Sequence, residues 1–421
     1  MPSPPDAAPA ADLACGRRIL TRADALAACS ESADGLTCTY LTPAHQAAAA
    51  MLRDWMSEAG LAAEIDAAGN VVGRLAGADP AAKAVILGSH YDTVRNAGKY
   101  DGRLGILAAI EAAAALRRDG DPLPFAIEIV GFAEEEGVRF ARPFLGVDAV
   151  AGRFTPAMLL LEDEQGTTVA DALRAAGHDP AAIFALRRDP FSLAGYLEIH
   201  IEQGPVLLDE GLPVGIVTAI AGATRYALTL TGMAGHAGTV PMTLRHDAAA
   251  AAAAIVLFVE ERCRKTPGLV GTVGRLFVPD GAVNVIPGRC ELSLDIRSGD
   301  DAQREAAVHD VLAFADRTAR QRGVSLAMHE LSRSPAVPCS PRLQALLTDA
   351  VARAGIAPRL LPSGAGHDAM VMADVADIGM LFVRCGNGGI SHDPRETVTA
   401  DDAGLATRIL IDALAHFSDA A

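Results

Sequence analysis

The chain has no cationic start followed by an apolar segment. It also has no apolar run near the roughly 20 residues that a membrane helix needs, so neither a secretory leader nor a spanning segment is expected. Aromatic residues are scarce, at 4 %, although half of all residues are hydrophobic. Much of the apolar content is therefore alanine, as in 248–254, which points to a helix-rich globular chain rather than one with a bulky aromatic core. The 7 cysteines (Cys15, Cys29, Cys38, Cys263, Cys290, Cys339 and Cys385) are odd in number, scattered and free of CxxC pairing. That pattern argues against a disulfide framework and suits a reducing, cytoplasmic setting. Positive charge is in deficit too: 36 basic against 52 acidic residues give −16, which makes nucleic acid and anionic membranes unsuitable partners. A small anionic substrate stays open, because metal ions and a few arginines can reverse the potential inside a cleft.

At 421 residues, two domains or one interrupted domain are expected. After a loose start the pattern reads as helix 43–60, strands 62–65, 70–75 and 84–87, a helix opened by Asp101 and Gly102 and running to about Arg117, and strand 125–132. This alternation predicts an α/β domain with a mainly parallel central sheet. The middle changes to strand 225–231, helix 245–264, strands 271–277 and 289–297, helix 302–320 and strand 324–331. The order βαββαβ is that of a ferredoxin-like unit. We therefore expect a catalytic domain over 1–218 and 332–421, interrupted by a lid over 219–331. The returning chain supplies helix 341–354, strand 378–383 and helix 401–417.

Ligand-type side chains follow the predicted strands: His90 and Asp92 in GSHYDT, Asp101 in KYDGRLG, Glu134, Glu135 and Glu136 in FAEEEG, His200 in EIHIEQG, and His392 in ISHDP. The carboxyl ends of strands border the ligand crevice of open α/β sheets, so five loops can converge. Imidazole with carboxylate suits zinc, manganese or similar divalent ions, and one carboxylate can bridge a pair of them. Each element also has a plain structural reading. Asp101 is a reasonable helix cap, the glutamate run an ordinary acidic turn, and His200 part of a half-exposed strand. It is their joint occurrence that favours a metal site. Asp92, two residues beyond His90, is expected to bond the other ring nitrogen of that histidine. In the lid, residues 235–238 form a glycine-flanked histidine turn around His236, 284–287 form a second turn, and Arg297 lies on the polar face of a strand whose apolar face is Cys290, Leu292, Leu294 and Ile296. An arginine there is either solvated or a clamp for a carboxylate.

With GSHYDTVRNAGKYDGRLG, FAEEEGVRF, EIHIEQGPVL, GHAGTVPM, NVIPG, SGAGHDAM and ISHDPRE, the chain resembles, from about Pro43 to Phe417, the dimetal amidohydrolases that include allantoate amidohydrolase, N-carbamoyl-L-amino acid hydrolase and β-ureidopropionase. Val240 departs from the threonine common there. The resemblance implies an aminopeptidase-like dimetal fold with a lid that also dimerises. His90 and His200 would hold one ion, Glu136 and His392 the other, and Asp101 would bridge them, with a cis peptide after Asp101. Glu135 would be the general base and His236 an oxyanion donor reaching the neighbouring subunit's site. Gln203, Arg225, His236, Asn284, Arg297, Gly366 and His367 would contact substrate. Two zinc or manganese ions per subunit are implied, with cobalt or nickel as alternatives. Allantoate is the first substrate expected, and an N-carbamoyl-L-amino acid or N-carbamoyl-β-alanine the second. A metallopeptidase and a non-catalytic binding protein are the readings from other classes.

Overall fold

The computed structural model describes residues 7–119 and 123–418. They form two compact units, one over 1–218, 339–361 and 367–421, the other over 219–338 with 362–366. The second unit thus runs past the 219–331 expected from the sequence and takes in the segment that contains Gly364 and Gly366.

The first unit is built on a mixed sheet. Its central run, in spatial order, is Ala62–Ile65, Val71–Leu75, Ala126–Phe132, Ala84–His90, Leu193–Ile201, Ile378–Val383 and Val214–Ile220. The four middle strands are mutually parallel, and the flanking pairings are antiparallel. Every residue of Ala84–His90, Ala126–Phe132 and Leu193–Ile201 is buried, as expected of parallel strands covered on both faces. The strand that carries His200 is therefore not half exposed: Glu198 and His200 lie in the interior.

The helix Arg103–Asp119 is buried over Leu104, Ile106, Leu107, Ile110 and Ala113 because it lies between that sheet and two further helices, Ala7–Ala27 and Ala400–Ala415. Ala7–Ala27 corrects the expected loose start. Its inward positions, Ile19, Ala23 and Leu26, follow helical spacing but are bulky only twice. It meets Ala400–Ala415 almost backbone to backbone: a Cβ on Gly16 would overlap the carbonyl of Ala400, and one on Gly404 that of Asp12.

The second unit has an antiparallel sheet in the order Leu276–Phe277, Arg289–Ser298, Gly222–Thr231, Ser325–Ser334, with Leu269–Thr272 also paired to Arg289–Ser298. With helices Ala248–Arg264 and Asp301–Gln321 it has the expected βαββαβ order, and its core contains Cys290, Leu292, Leu294 and Ile296. The single strand expected over 271–277 is two. Between them Ser293 Oγ accepts the Arg275 N–H at 3.0 Å, while the Ser293 N–H still donates to the Arg275 carbonyl at 3.0 Å.

Among the described residues no helix is long and apolar enough to cross a membrane.

Candidate active site

In the first unit the carboxyl ends of the parallel strands and the loops that follow them carry the predicted residues: His90 and Asp92, Glu134 to Glu136, His200 and Gln203, and, beyond Val383, His392. Asp101 precedes the helix that follows. The structure brings these side chains to one place. Asp101 Oδ1 lies 3.2 Å from His200 Nε2 and 3.6 Å from His90 Nε2, while its Oδ2 lies 3.0 Å from His392 Nε2. His392 Nε2 is also 3.6 Å from Glu136 Oε1, and His90 Nε2 is 4.0 Å from Glu135 Oε2. One carboxylate therefore faces two different imidazole sets with its two oxygens.

Three groups, His90 with Asp101 and His200, Asp101 with Glu136 and His392, and His90 with Glu135 and Glu136, each place their ligand atoms within 4.8 Å of one another. Asp101 Oδ1 is buried with no hydrogen-bond partner among the described residues, which is costly unless a cation or proton joins it. Burial and then Asp101 push Glu136 up to about 7, and burial with nearby Glu136 and Asp368 raises Glu135 well above the usual carboxyl range against the pull of His90. The cluster is short of positive charge, and its donors fit a divalent cation. His200 Nδ1 lies 2.9 Å from the Ile201 carbonyl, so a proton there leaves Nε2 as the acceptor facing Asp101.

Asp92 does something other than expected. His90 Nδ1 is closest to the Asp92 backbone carbonyl, at 3.2 Å, with the carboxylate at 3.6 Å. That carboxylate instead accepts the backbone N–H groups of Glu135 and Glu136, at 3.0 and 3.1 Å. The Asp101–Gly102 bond is also not cis, since the described residues contain no cis peptide. The sharp turn is made by a left-handed Gly102, φ +65°, where a Cβ would stand 2.5 Å from the His90 ring.

Gln203, itself left-handed at φ 55°, donates from Nε2 to Asp101 Oδ2 at 3.0 Å. His367 is buried with its ring edge-on to His200, centroids 4.4 Å apart. Three residues that the sequence did not single out complete this unit's site. Glu198 accepts from Ser89 Oγ and the Tyr196 hydroxyl beneath His200, and Ser391 and Glu396 stand beside Asp101.

In the second unit the two expected turns pair as a small ribbon, Gly235–His236 with Val285–Ile286, and the Ala237 N–H donates to the Asn284 carbonyl at 2.9 Å. Both His236 and Asn284 are exposed. Arg225 and Arg297 share Asp295: Arg225 Nε donates to it at 3.0 Å, and Arg297 Nε and Nη2 at 3.1 and 2.9 Å. Arg297 Nη1 reaches the Gly364 carbonyl at 2.8 Å, and these residues line a cavity of about 460 Å³. Asp295 was legible as the residue two before Arg297, hence on the same strand face.

The sequence profile of peptidase family M20/M25/M40 matches residues 86–416. An N-carbamoyl-L-amino acid amidohydrolase of Geobacillus stearothermophilus is 40% identical over 376 residues, 89% of this chain and 92% of that protein. An allantoate deiminase of Arabidopsis thaliana is 39% identical over 416 residues, 91% of this chain and 79% of that protein. Among solved structures, a hydantoinase/carbamoylase family amidase of Burkholderia multivorans superposes with a TM-score of 0.89 at 32% identity, over 95% of this chain and 97% of that one.

Proposed function

The chain belongs to peptidase family M20/M25/M40, and from that premise we propose that it is a metal-dependent amidohydrolase that cleaves a ureido C–N bond of a small carboxylate, with allantoate as its substrate. The observation that carries the metal reading is the two-faced Asp101, with His90 and His200 toward one oxygen and His392 toward the other. His90 and His200 would hold one divalent ion and Glu136 and His392 a second, with Asp101 shared; zinc and manganese suit the set, and cobalt and nickel also fit. Such a pair supplies Lewis acidity to the ureido carbonyl and makes water a stronger acid.

Glu135 takes the proton from the attacking water and returns it to the departing nitrogen. Ammonia leaves as its C–N bond breaks, and the carbamate that remains falls apart to carbon dioxide and an amine. Arg297 binds the substrate carboxylate, with Arg225 and Asn284 beside it, His236 donates to the developing oxyanion, and Gln203, Gly366 and His367 complete the substrate contacts. The lid joins two copies in a homodimer, and a cytoplasmic location fits the cysteine pattern. A substrate with one carbamoyl arm, an N-carbamoyl-L-amino acid, is the second reading, favoured by the Geobacillus stearothermophilus relative.

Ammonia release from allantoate, N-carbamoyl-L-amino acids and N-carbamoyl-β-alanine, set beside cleavage of dipeptides, tests the assignment. Fastest turnover of allantoate is expected. Dipeptide cleavage that outpaces every ureido compound would replace it with a peptidase.

A further inference from the structure

Glu396 has no part in the reaction as proposed, yet it is a buried carboxylate, 2 % exposed, whose side-chain hydrogen bonds go to the loops of Asp101 and His392. Its Oε1 accepts the backbone N–H groups of Tyr100 and Asp101, at 2.9 and 3.2 Å. Its Oε2 accepts the Ser391 hydroxyl at 2.8 Å. Ser391 immediately precedes His392 and lies 3.4 Å from Asp101 Oδ2. One side chain thus ties the loop that presents Asp101 to the loop that presents His392, although the two are nearly 300 residues apart in the chain. His392 most needs such support, since its side chain is 48% exposed where those of His90 and His200 are 3 % and 1 %. It sits on a loop that Gln203 Nε2 also touches, at 3.4 Å from both Ser391 Oγ and His392 Nε2, and is itself left-handed at φ 55°.

We infer that Glu396 is a positioning residue for the divalent-cation site, setting the separation of Asp101 and His392 through Ser391 and the backbone of 100–101. The inference rests on the assignment of Asp101 and His392 as ligands. Outer hydrogen-bond partners of metal ligands change metal affinity by about 10- to 100-fold when removed. A glutamine can keep this tether, because its carbonyl can accept the two backbone N–H groups while its amide donates to Ser391 Oγ. An alanine cannot.

The test is a metal titration of the full chain after chelator treatment, with zinc or manganese competed against a chromophoric chelator, for the wild type and the Glu396→Ala, Glu396→Gln, Ser391→Ala and Asp101→Ala variants. Circular dichroism of the metal-free proteins checks folding. Glu396→Ala should bind at least one ion about tenfold or more weakly, Ser391→Ala should fall between it and the wild type, and Glu396→Gln should stay within about threefold of wild type. Should Glu396→Ala not fold, Ser391→Ala and Glu396→Gln carry the comparison alone. Unchanged affinity in Ser391→Ala overturns the inference, as does unchanged affinity in a folded Glu396→Ala or a loss of about tenfold or more in Glu396→Gln, which would make charge and not the tether the operative property. If Asp101→Ala also binds like the wild type, the ligand assignment itself fails, which is a different result.

Discussion

Asp92 Oδ1 accepts the backbone N–H of Glu135 at 3.0 Å, so the loop that carries the candidate base is pinned by the loop that carries the first candidate ligand. With Oδ2 on the Glu136 N–H, this carboxylate sets the direction of two glutamates that would otherwise repel each other. Asp92→Asn should be disruptive in spite of its shape, because its amide would set a donor against one of these N–H groups. A loss of about 10- to 100-fold in activity or metal affinity is expected. Steady-state rates and metal titration within twofold of the wild type would show that the loop holds itself.

Asp101→Ala should lose metal from both positions, since Asp101 faces His90 and His200 with one oxygen and His392 with the other. Glu135→Gln should keep its metal and lose about 10² to 10⁴ in rate. Elemental analysis alongside ammonia release separates the two, and a metal-replete Glu135→Gln with near-normal turnover removes Glu135 from the mechanism.

His45, packed against Tyr91 behind the His90–Asp92 loop, gives the stability a pH dependence of its own. Its ring stacks on Tyr91 at 4.3 Å, its Nε2 is buried with no hydrogen-bond partner among the described residues, and burial lowers its pKa from 6.5 to about 3. The unfolded chain takes up this proton near pH 6.5 and the folded chain only near 3. The contribution is therefore complete above pH 6.5 and is lost as pH falls through that window. In chelator, urea unfolding of the wild type and of His45→Phe should differ between pH 7 and 4.5 by roughly 2–3 kcal/mol more in one condition than the other, the wild type losing ground in acid. A constant gap at both pH values would mean that His45 charges without cost.

The lid histidine offers a test of assembly. If His236 serves the neighbouring subunit while Glu135 serves its own, His236→Ala and Glu135→Gln are each nearly inactive as homodimers. Co-refolded at random, half of their dimers are mixed, each with one complete site, so roughly a quarter of wild-type activity returns. Verified heterodimers without activity would confine His236 to its own chain.

Elements with a strong period or sharp borders were legible before the structure: strands 62–65 and 378–383 fall where alternation and flanking turns put them. The helix Ala7–Ala27 was not, because its inward face is largely small and it is held by close backbone approach rather than by apolar bulk. At the site, His90, Asp101, Glu136, His200 and His392 were visible as ligand-type residues after strands. Asp92's real partners and the Glu396 tether were not, since both are bonds to backbone N–H groups whose positions no side-chain pattern encodes.

The interleaving of Ile378–Val383 between Leu193–Ile201 and Val214–Ile220 has a consequence during synthesis. When the ribosome has made residue 220, the strand Leu193–Ile201 has its neighbour Ala84–His90 on one side and nothing on the other. The missing strand arrives after the whole of 219–338 has been translated, roughly 8 to 33 s later at about 5–20 residues per second. Through that interval a largely apolar edge, with Leu197, Ile199 and Ile201 on it, is open to pairing with any other nascent strand. The helix that closes the layer beside Ala7–Ala27 comes later still. The inserted unit, almost continuous in sequence, can meanwhile fold at once. Expression yield should therefore depend on chaperones that shield the waiting edge, and substitutions that slow translation between 221 and 383 should cost soluble protein without altering the finished fold.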